Sequence, residues 1–322
     1  MNPDGLKACS YPAGAEQVLS DVVRDPRCEW GSGFGVFPSE YEGLVRPFVR
    51  NVYHLIHAVP SGLAALVSSI GTDPAVRRRI ASLPCEKGET FRIWPMMDNQ
   101  PASPKAFGIR SVEDLLAASL GLTFTIISPR YCFYLSQRRD GRSWFLLTSW
   151  TNTAYEPVKG ELAPETAHLL CHLAGIGPDD SVLDPFAGYG SIPRTASLGF
   201  GCTRVMANDI DPSGLHDLPE GVVRTSRNFL DPGSYGRPTK IVTDPPWGDH
   251  REMADKERFY SDMIQRCAEV LGEKGRFVFL SANDPVVIAA VRKDTAGTFE
   301  IEPPWPMLVR GKKTLVWRLT RV

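Results

Sequence analysis

The sequence predicts an α/β protein, with a doubly wound, mostly parallel sheet in its C-terminal half behind a smaller α+β domain. Three observations carry this. Short apolar runs end at or near the carboxylates Asp184, Asp209 and Asp244. Stretches with helical apolar spacing alternate with those runs, as in a sheet wound by crossover helices. The N-terminal half lacks that rhythm.

In the C-terminal half, Glu165 to Ala174 predicts a helix with Leu169, Leu170 and Leu173 on one face. Pro178-Asp179-Asp180 is a turn, and Ser181-Val182-Leu183 a short buried strand. Further strands are predicted at 204–207, 240–243, 276–281 and 314–319, with helices at 192–198 and 259–271. In the N-terminal half, helices are expected at 16–23, 42–57 and 112–120, the second from the spacing of Leu44, Phe48, Val52 and Leu55. Strands are expected at 123–128, 131–136 and 144–150, the last two joined through Asp140-Gly141, a hairpin turn signal. The expected division is an N-terminal domain over 1–150, a linker over 151–158 and a second domain over 159–322.

Composition narrows the function. The 322 residues are 43% hydrophobic and carry a net charge of -1, so any nucleic-acid site must be a local basic patch. Arg77-Arg78-Arg79, Arg130, Arg138-Arg139 and Arg310 with Lys312-Lys313 are the candidate patches. No apolar run approaches the ~18 residues that span a bilayer, and the first residues lack a signal-peptide pattern, so a cytoplasmic protein without membrane partners is expected. The seven cysteines are scattered without a C-x-x-C pair, which argues for buried thiols rather than disulfides or zinc. His168 and His172 share a helical face but lack the H-E-x-x-H pattern, and no metal site is expected.

Two motifs carry the chemistry. In Asp184-Pro185-Phe186-Ala187-Gly188-Tyr189-Gly190-Ser191 a strand ends in a carboxylate, and two glycines let the backbone turn and approach a ligand closely. Pro193 stands where a dinucleotide fingerprint has its third glycine. Asp184 could accept the ammonium of a methionine moiety. Asp209, about twenty residues on, could bind both hydroxyls of a ribose, with Asp211 as the alternative. Asn228 could pair with an adenine edge and Phe229 stack on it. Each alone is an ordinary turn or cap; in order they describe a pocket for an adenosine bearing an amino-acid tail. The candidate cofactor-binding set is Asp184, Phe186, Gly188, Gly190, Asp209, Ile210, Asn228, Phe229 and Asp244.

The second motif is Asp244-Pro245-Pro246-Trp247-Gly248, the candidate catalytic loop. Two prolines after a buried strand end its ladder, because neither supplies an N–H. An exocyclic amine of a base is a poor nucleophile, its lone pair being delocalised into the ring. Two acceptors for its N–H bonds, the Asp244 carboxylate and the Pro245 carbonyl, would turn that lone pair outward and stabilise developing positive charge. Trp247 offers a face on which an extruded base can stack.

These residues resemble class I methyltransferases that modify exocyclic amines of nucleobases, whose motif is Asp/Asn/Ser-Pro-Pro-aromatic. Trp247 departs from the more common Tyr or Phe. Within that group the chain from about residue 155 is most similar to the THUMP-containing RNA guanine-N2 methyltransferases. Tyr155-Glu156-Pro157 with Gly160-Glu161-Leu162-Ala163-Pro164 resembles their lead-in segment, and both motifs match theirs apart from the Trp. Before that, Ala13-Gly14-Ala15-Glu16 resembles the Pro-Gly-Leu-Glu that opens such proteins, Phe34-Gly35-Val36-Phe37 followed by Arg46 to Leu55 resembles their N-terminal ferredoxin-like element, and the stretch from Phe91 to Leu135 resembles a reduced THUMP module. The resemblance implies a Rossmann-like domain, S-adenosylmethionine as cofactor, and a tRNA or rRNA substrate; an accessory subunit is a further candidate partner that the sequence does not decide. The alternatives are a DNA adenine-N6 or cytosine-N4 methyltransferase, a small-molecule methyltransferase and an inactive RNA-binding relative.

Overall fold

The structure, a computed structural model, describes residues 4–98, 100–103, 108–149, 158, 160–248 and 255–322. The chain forms two compact units. The first takes Met1–Ser10, Val23–Arg46 and Asn51–Glu156; the second takes Tyr11–Val22, Pro47–Arg50 and Pro157–Val322. The division in chain order at residue 150 is therefore crossed by two short N-terminal segments. The expected linker, 151–158, lies outside the described residues except for Val158.

The first unit is one sheet with helices on a face. Its strands are β1 (Leu6–Ser10), β2 (Glu29–Gly31), β3 (Phe34–Pro38), β4 (Asn51–Val59), β5 (Thr90–Met97), β6 (Gln100–Pro101), β7 (Thr123–Phe124), β8 (Tyr131–Gln137) and β9 (Ser143–Ser149). Their order is β2-β3-β1-β4-β9-β8-β5-β6, with β7 also beside β5. Among the described residues, the α-helices in this half of the sequence are α1 (Glu16–Val22), which belongs to the second unit, α2 (Glu42–Val45), α3 (Leu63–Thr72), α4 (Pro74–Ala81) and α5 (Arg110–Leu120). Leu66, Ile70, Val76, Ile80 and Leu116 from α3, α4 and α5 pack on Ile56, Phe133 and Phe145 of the sheet. Removing one large apolar side chain from water is worth roughly 1.5–3 kcal/mol, so this layer is the unit's main stabiliser.

Two expectations are corrected here. Residues 42–57 are not one helix: α2 gives way to a 3-10 turn at Arg46–Phe48, and Asn51–Val59 is strand β4. Pro47 interrupts the helical hydrogen bonding. Beyond it Val52, Tyr53, Leu55 and Ile56 are all buried, which suits a strand paired on both edges, with β1 and β9. The strand expected at 123–128 stops after Phe124; Ile126 and Ile127 are 65% and 76% exposed. The β8–β9 hairpin forms as expected, with Gly141 at φ 86° in its turn.

The second unit holds α6 (Pro164–Ala174), β10 (Ser181–Asp184), α7 (Ser191–Phe200), β11 (Arg204–Asn208), β12 (Val223–Thr225), β13 (Lys240–Thr243), α8 (Lys256–Val270), β14 (Arg276–Ala282), α9 (Pro285–Asp294), β15 (Phe299–Ile301), β16 (Trp305–Val309) and β17 (Lys312–Arg321). The sheet order is β12-β11-β10-β13-β14-β17-β15, with β16 also on β17. The strands from β12 to β14 run parallel, and β17 is antiparallel to β14. The crossovers force this arrangement, since parallel neighbours need a long return connection. In α8, Tyr260, Met263, Ile264 and Cys267 recur at helical spacing and bury against Phe277, Phe279 and Trp317. The buried Trp317 indole donates to Ser281 Oγ at 2.9 Å, so its polar edge is satisfied. Five of the seven cysteines are buried free thiols, and Cys28 and Cys85 are half-buried. No described helix is long and apolar enough to cross a membrane.

Candidate active site

Strand order reverses between β10 and β13, and in an open α/β sheet the crevice beyond that switch point is where ligands bind. Both sequence motifs meet there. Asp184 ends β10 and Asp244 directly follows β13. The Thr243 hydroxyl donates to Asp184 Oδ1 at 2.6 Å and so ties the two strand ends together. The Phe186 N–H donates to the same oxygen at 3.2 Å, turning the chain into the glycine loop.

The glycine loop is shaped by left-handed backbone. Gly188 has φ 52°, and a Cβ there would meet nothing within 4 Å, so the loop opens on free space at that point. Gly190 has φ 76°, and a Cβ there would lie 2.5 Å from Leu218 Cδ2. Only glycine suits either position. Asp209 Oδ2 accepts the Gly188 N–H at 2.7 Å and its Oδ1 accepts the Asp211 N–H at 3.0 Å, so this carboxylate grips the loop at the rim of the crevice. Ile210 beside it is 66% exposed. The Asp211 carboxylate caps the turn that follows, through Ser213 N.

The candidate catalytic loop holds two buried polar atoms whose needs are unmet. Asp244 Oδ1 and Trp247 Nε1 have no hydrogen-bond partner among the described residues. The indole N–H faces the carboxylate and favours its charged form, but the alignment falls short of a hydrogen bond. The Pro246 carbonyl accepts a long 3.5 Å bond from the Tyr260 hydroxyl on α8, which steadies the loop. Burial pushes the Asp244 carboxyl up to about 7, opposed by Trp247 and by the charge of Arg310. Burial likewise pushes Asp184 up to about 8; Thr243 and Phe186 pull it down, and the charges of Asp209 and Asp244 push it further up.

The structure rearranges part of the expected cofactor set. Phe229 is corrected from an adenine platform to a core residue: it is 1% exposed and its ring packs on Phe186 and Tyr235. Phe186, half-buried, stands between that core and the site. Asn228 is exposed, and its amide is engaged in its own turn, donating to Asp231 Oδ1 and accepting from Leu230 N. The residue that organises this corner is Asn208, which the motif reading passed over. Fully buried at the end of β11, it donates to the carbonyls of Pro185 and Arg227 and accepts from the Thr225 hydroxyl. A polar residue closing an apolar strand beside Asp209 was its only signal. His168 and His172 pack edge-on against Phe48, and burial lowers both their pKa values, His168 to about 4. His54 and His57 lie on a strand, where His57 Nε2 meets Ser69 Oγ at 3.0 Å.

Of the basic clusters, Arg79 pairs with Asp4, Arg139 with Asp98, Arg77 with the Gly71 carbonyl and Arg138 with the Ser32 carbonyl. Those side chains are partly consumed within their own unit. Arg310 sits at the tip of the β16–β17 hairpin, in the second unit, where its charge reaches Asp244.

The sheet order, with its crevice at the switch point, is a Rossmann-like doubly wound fold, and solved structures share it. Among solved structures, TrmN from Thermus thermophilus superposes with a TM-score of 0.78 at 18% identity, over 98% of this chain and 99% of its own. A protein solved in complex with SAH gives a TM-score of 0.68 at 13% identity, over 97% of each chain. Two curated sequences are similar over a shorter stretch. A tRNA (guanine(10)-N2)-dimethyltransferase of Methanothermobacter thermautotrophicus is 30% identical over 128 residues, 36% of this chain and 37% of its own. A tRNA (guanine(6)-N2)-methyltransferase of Thermus thermophilus is 28% identical over 137 residues, 38% of this chain and 40% of its own. The chain thus matches well under half the length of these curated relatives. No family model matches it.

Proposed function

We propose that the protein is an S-adenosylmethionine-dependent methyltransferase that methylates the exocyclic N2 amine of a guanine in tRNA. The observation that carries the reading is the buried, unpartnered Asp244 Oδ1 beside the Trp247 indole, at the switch point of a methyltransferase fold. A buried acceptor without a donor costs about 1–3 kcal/mol. A base amine entering the loop supplies that donor.

The crevice suits the cofactor on its own chemistry. Asp184, Asp209 and Asp244 bring three carboxyl groups to one end of the sheet, and their mutual repulsion calls for a cationic ligand. S-adenosylmethionine carries an ammonium and a sulfonium, and when bound it supplies an electrophilic methyl group. Asp184 and the Gly188–Gly190 loop would hold its amino-acid end, Asp209 its ribose and Ile210 its adenine. Phe186 and the turn at Asn228 support that pocket from behind, and Phe229 does so only through Phe186.

The chain's own residues then act on the amine. The Asp244 carboxylate accepts one N–H and the Pro245 carbonyl the other, which frees the nitrogen lone pair for in-line attack. Asp244 would stabilise positive charge developing on the amine nitrogen, and the proton that the amine gives up would pass to that carboxylate or to water. Trp247 and Pro246 hold the base plane. Stacking of this kind is worth roughly 1–3 kcal/mol per base.

The similarity to the two tRNA guanine-N2 methyltransferases supports tRNA as the substrate. The first unit, with its sheet covered by α3, α4 and α5, is then a THUMP-like RNA-binding module, working in the cytoplasm with or without an accessory subunit. The test is transfer of radiolabelled methyl to total tRNA, rRNA and genomic DNA in parallel, with nucleoside analysis. Label in N2-methylguanosine from tRNA is the expected result. Label confined to DNA, or to no nucleic acid with cofactor bound, would overturn the reading.

A further inference from the structure

Two sets of contacts hold the glycine loop. From the chain after β11, Gly214 comes so near that a Cβ on it would lie 2.5 Å from the Gly188 carbonyl oxygen, and Leu218 closes on Gly190. Asp209 grips the Gly188 N–H from the same stretch. The second set comes from the residues just before α6. A Cβ on Gly160 would lie 3.8 Å from the Tyr189 ring, and the next residue, Glu161, is only 6% exposed.

A buried carboxylate persists only where partners meet it. Glu161 Oε1 accepts from the Ser191 hydroxyl at 3.4 Å and lies 3.7 Å from Arg194 Nη1. Its Oε2 accepts the Val158 N–H at 3.3 Å. Its own N–H donates to the Val158 carbonyl at 2.9 Å, and its carbonyl accepts from the Arg310 guanidinium at the tip of the β16–β17 hairpin. Ser191 is itself buried and is the first residue of α7, directly after Gly190. Among the described residues, its hydroxyl bonds to Glu161 alone. One carboxylate thus joins the segment before α6, the hairpin and the start of α7.

We propose that Glu161 is a positioning residue for the cofactor site: through Ser191 it fixes the end of the glycine loop, and with it the seat of the cofactor's amino-acid end. This rests on the reading of that loop as part of the S-adenosylmethionine site. The effect is selective. Ser191 follows the loop, whereas Asp209 and Ile210, assigned to ribose and adenine, follow β11, where the Asp211 N–H holds the Asp209 carboxylate. Loss of the Glu161 contact weakens a ligand that carries the amino-acid end and spares one that lacks it.

Calorimetry on the full chain compares S-adenosylhomocysteine with 5′-methylthioadenosine, which keeps the adenosine and the thioether without the amino-acid end. Glu161→Ala and Ser191→Ala are each expected to weaken S-adenosylhomocysteine about threefold to thirtyfold and to leave 5′-methylthioadenosine unchanged. Glu161→Gln, which keeps an acceptor for the Ser191 hydroxyl, should lose less than Glu161→Ala. The double variant should lose little more than the larger single, because both act through one contact. Ser191→Ala removes a single oxygen and decides the matter alone if Glu161→Ala does not fold. Unchanged affinity for both ligands, an equal loss of both, or additive losses in the double variant overturns the proposal and leaves the cofactor reading standing. A parent that binds neither ligand overturns that reading, and the proposal with it.

Discussion

On the proposed reading the chemistry falls on one carboxyl group, Asp244: buried, short of a partner on Oδ1, and pushed up to about 7 by burial, against the pull of Trp247 and Arg310. Asp244→Ala removes the acceptor but none of the groups assigned to the cofactor's amino-acid end or ribose. Transfer should fall below detection while the cofactor dissociation constant, read by calorimetry, stays within a few-fold. Activity equal to the parent would take Asp244 out of the mechanism. Asp209 grips the Gly188 N–H, and the proposed reading gives it the cofactor's ribose as well. Hydrogen bonds to a charged group are worth about 1.5–3 kcal/mol, so Asp209→Ala should weaken cofactor binding roughly tenfold to a hundredfold. An unchanged dissociation constant would remove it from the site.

At the scale of elements, the glycine loop and its helix α7 set the approach of any ligand to the switch point. Gly190→Ala places a Cβ 2.5 Å from Leu218 Cδ2 in a left-handed backbone. The loop must shift, and cofactor affinity should drop with it. The double variant Gly190→Ala, Leu218→Ala should recover part of the loss, since it removes the clash but not the strain; no recovery would mean that backbone strain alone acts. Strands β10, β11 and β13 were legible because each is a short run of buried apolar residues closed by a polar motif, a pattern that few alternatives share. The segment 42–57 was not, because Leu44, Phe48, Val52 and Leu55 fit a helical period as well as they fit two different elements around Pro47. The exposure of Leu44, at 55%, shows that this helical face had no core to meet. Asn208 and Arg310 stayed hidden for another reason. Their roles depend on partners far away in sequence, Arg227 and Glu161 among them, which no local spacing encodes.

For the whole molecule, the division into units has a consequence for dissection. Tyr11–Val22 and Pro47–Arg50 belong to the second unit. There the Trp305 indole donates to the Gly14 carbonyl at 2.5 Å, Leu308 N donates to the Ala13 carbonyl, Phe48 packs on His168 and His172, and Arg50 pairs with Glu165. A fragment cut at residue 158 loses all of these together. Its urea midpoint should lie below that of the same transition in the full chain. Equal midpoints would mean that these segments add nothing to the second unit.

Stability should also depend on pH in a way that reports the site. Asp184 and Asp244 have folded pKa values of about 8 and about 7, above the ordinary 3.8. The folded state therefore binds more protons than the unfolded chain above that ordinary value, and stability is lost as pH rises through 7 and 8. The histidines oppose this at lower pH. His54, His57, His168 and His172 have pKa values lowered from 6.5 by burial, so they contribute stability that is present above 6.5 and lost as pH falls. Between their range and pH 8 the two carboxyl groups act unopposed by the histidines. The melting temperature of the cofactor-free protein should decline from pH 6.5 to 8, and Asp184→Asn or Asp244→Asn should flatten that decline. A bound cation of the kind proposed would stabilise the ionised carboxylates, so saturating S-adenosylmethionine should flatten it in the parent as well. A decline that persists unchanged in both variants would place the titrating groups elsewhere in the molecule, and with them the charge balance on which the cofactor argument stands.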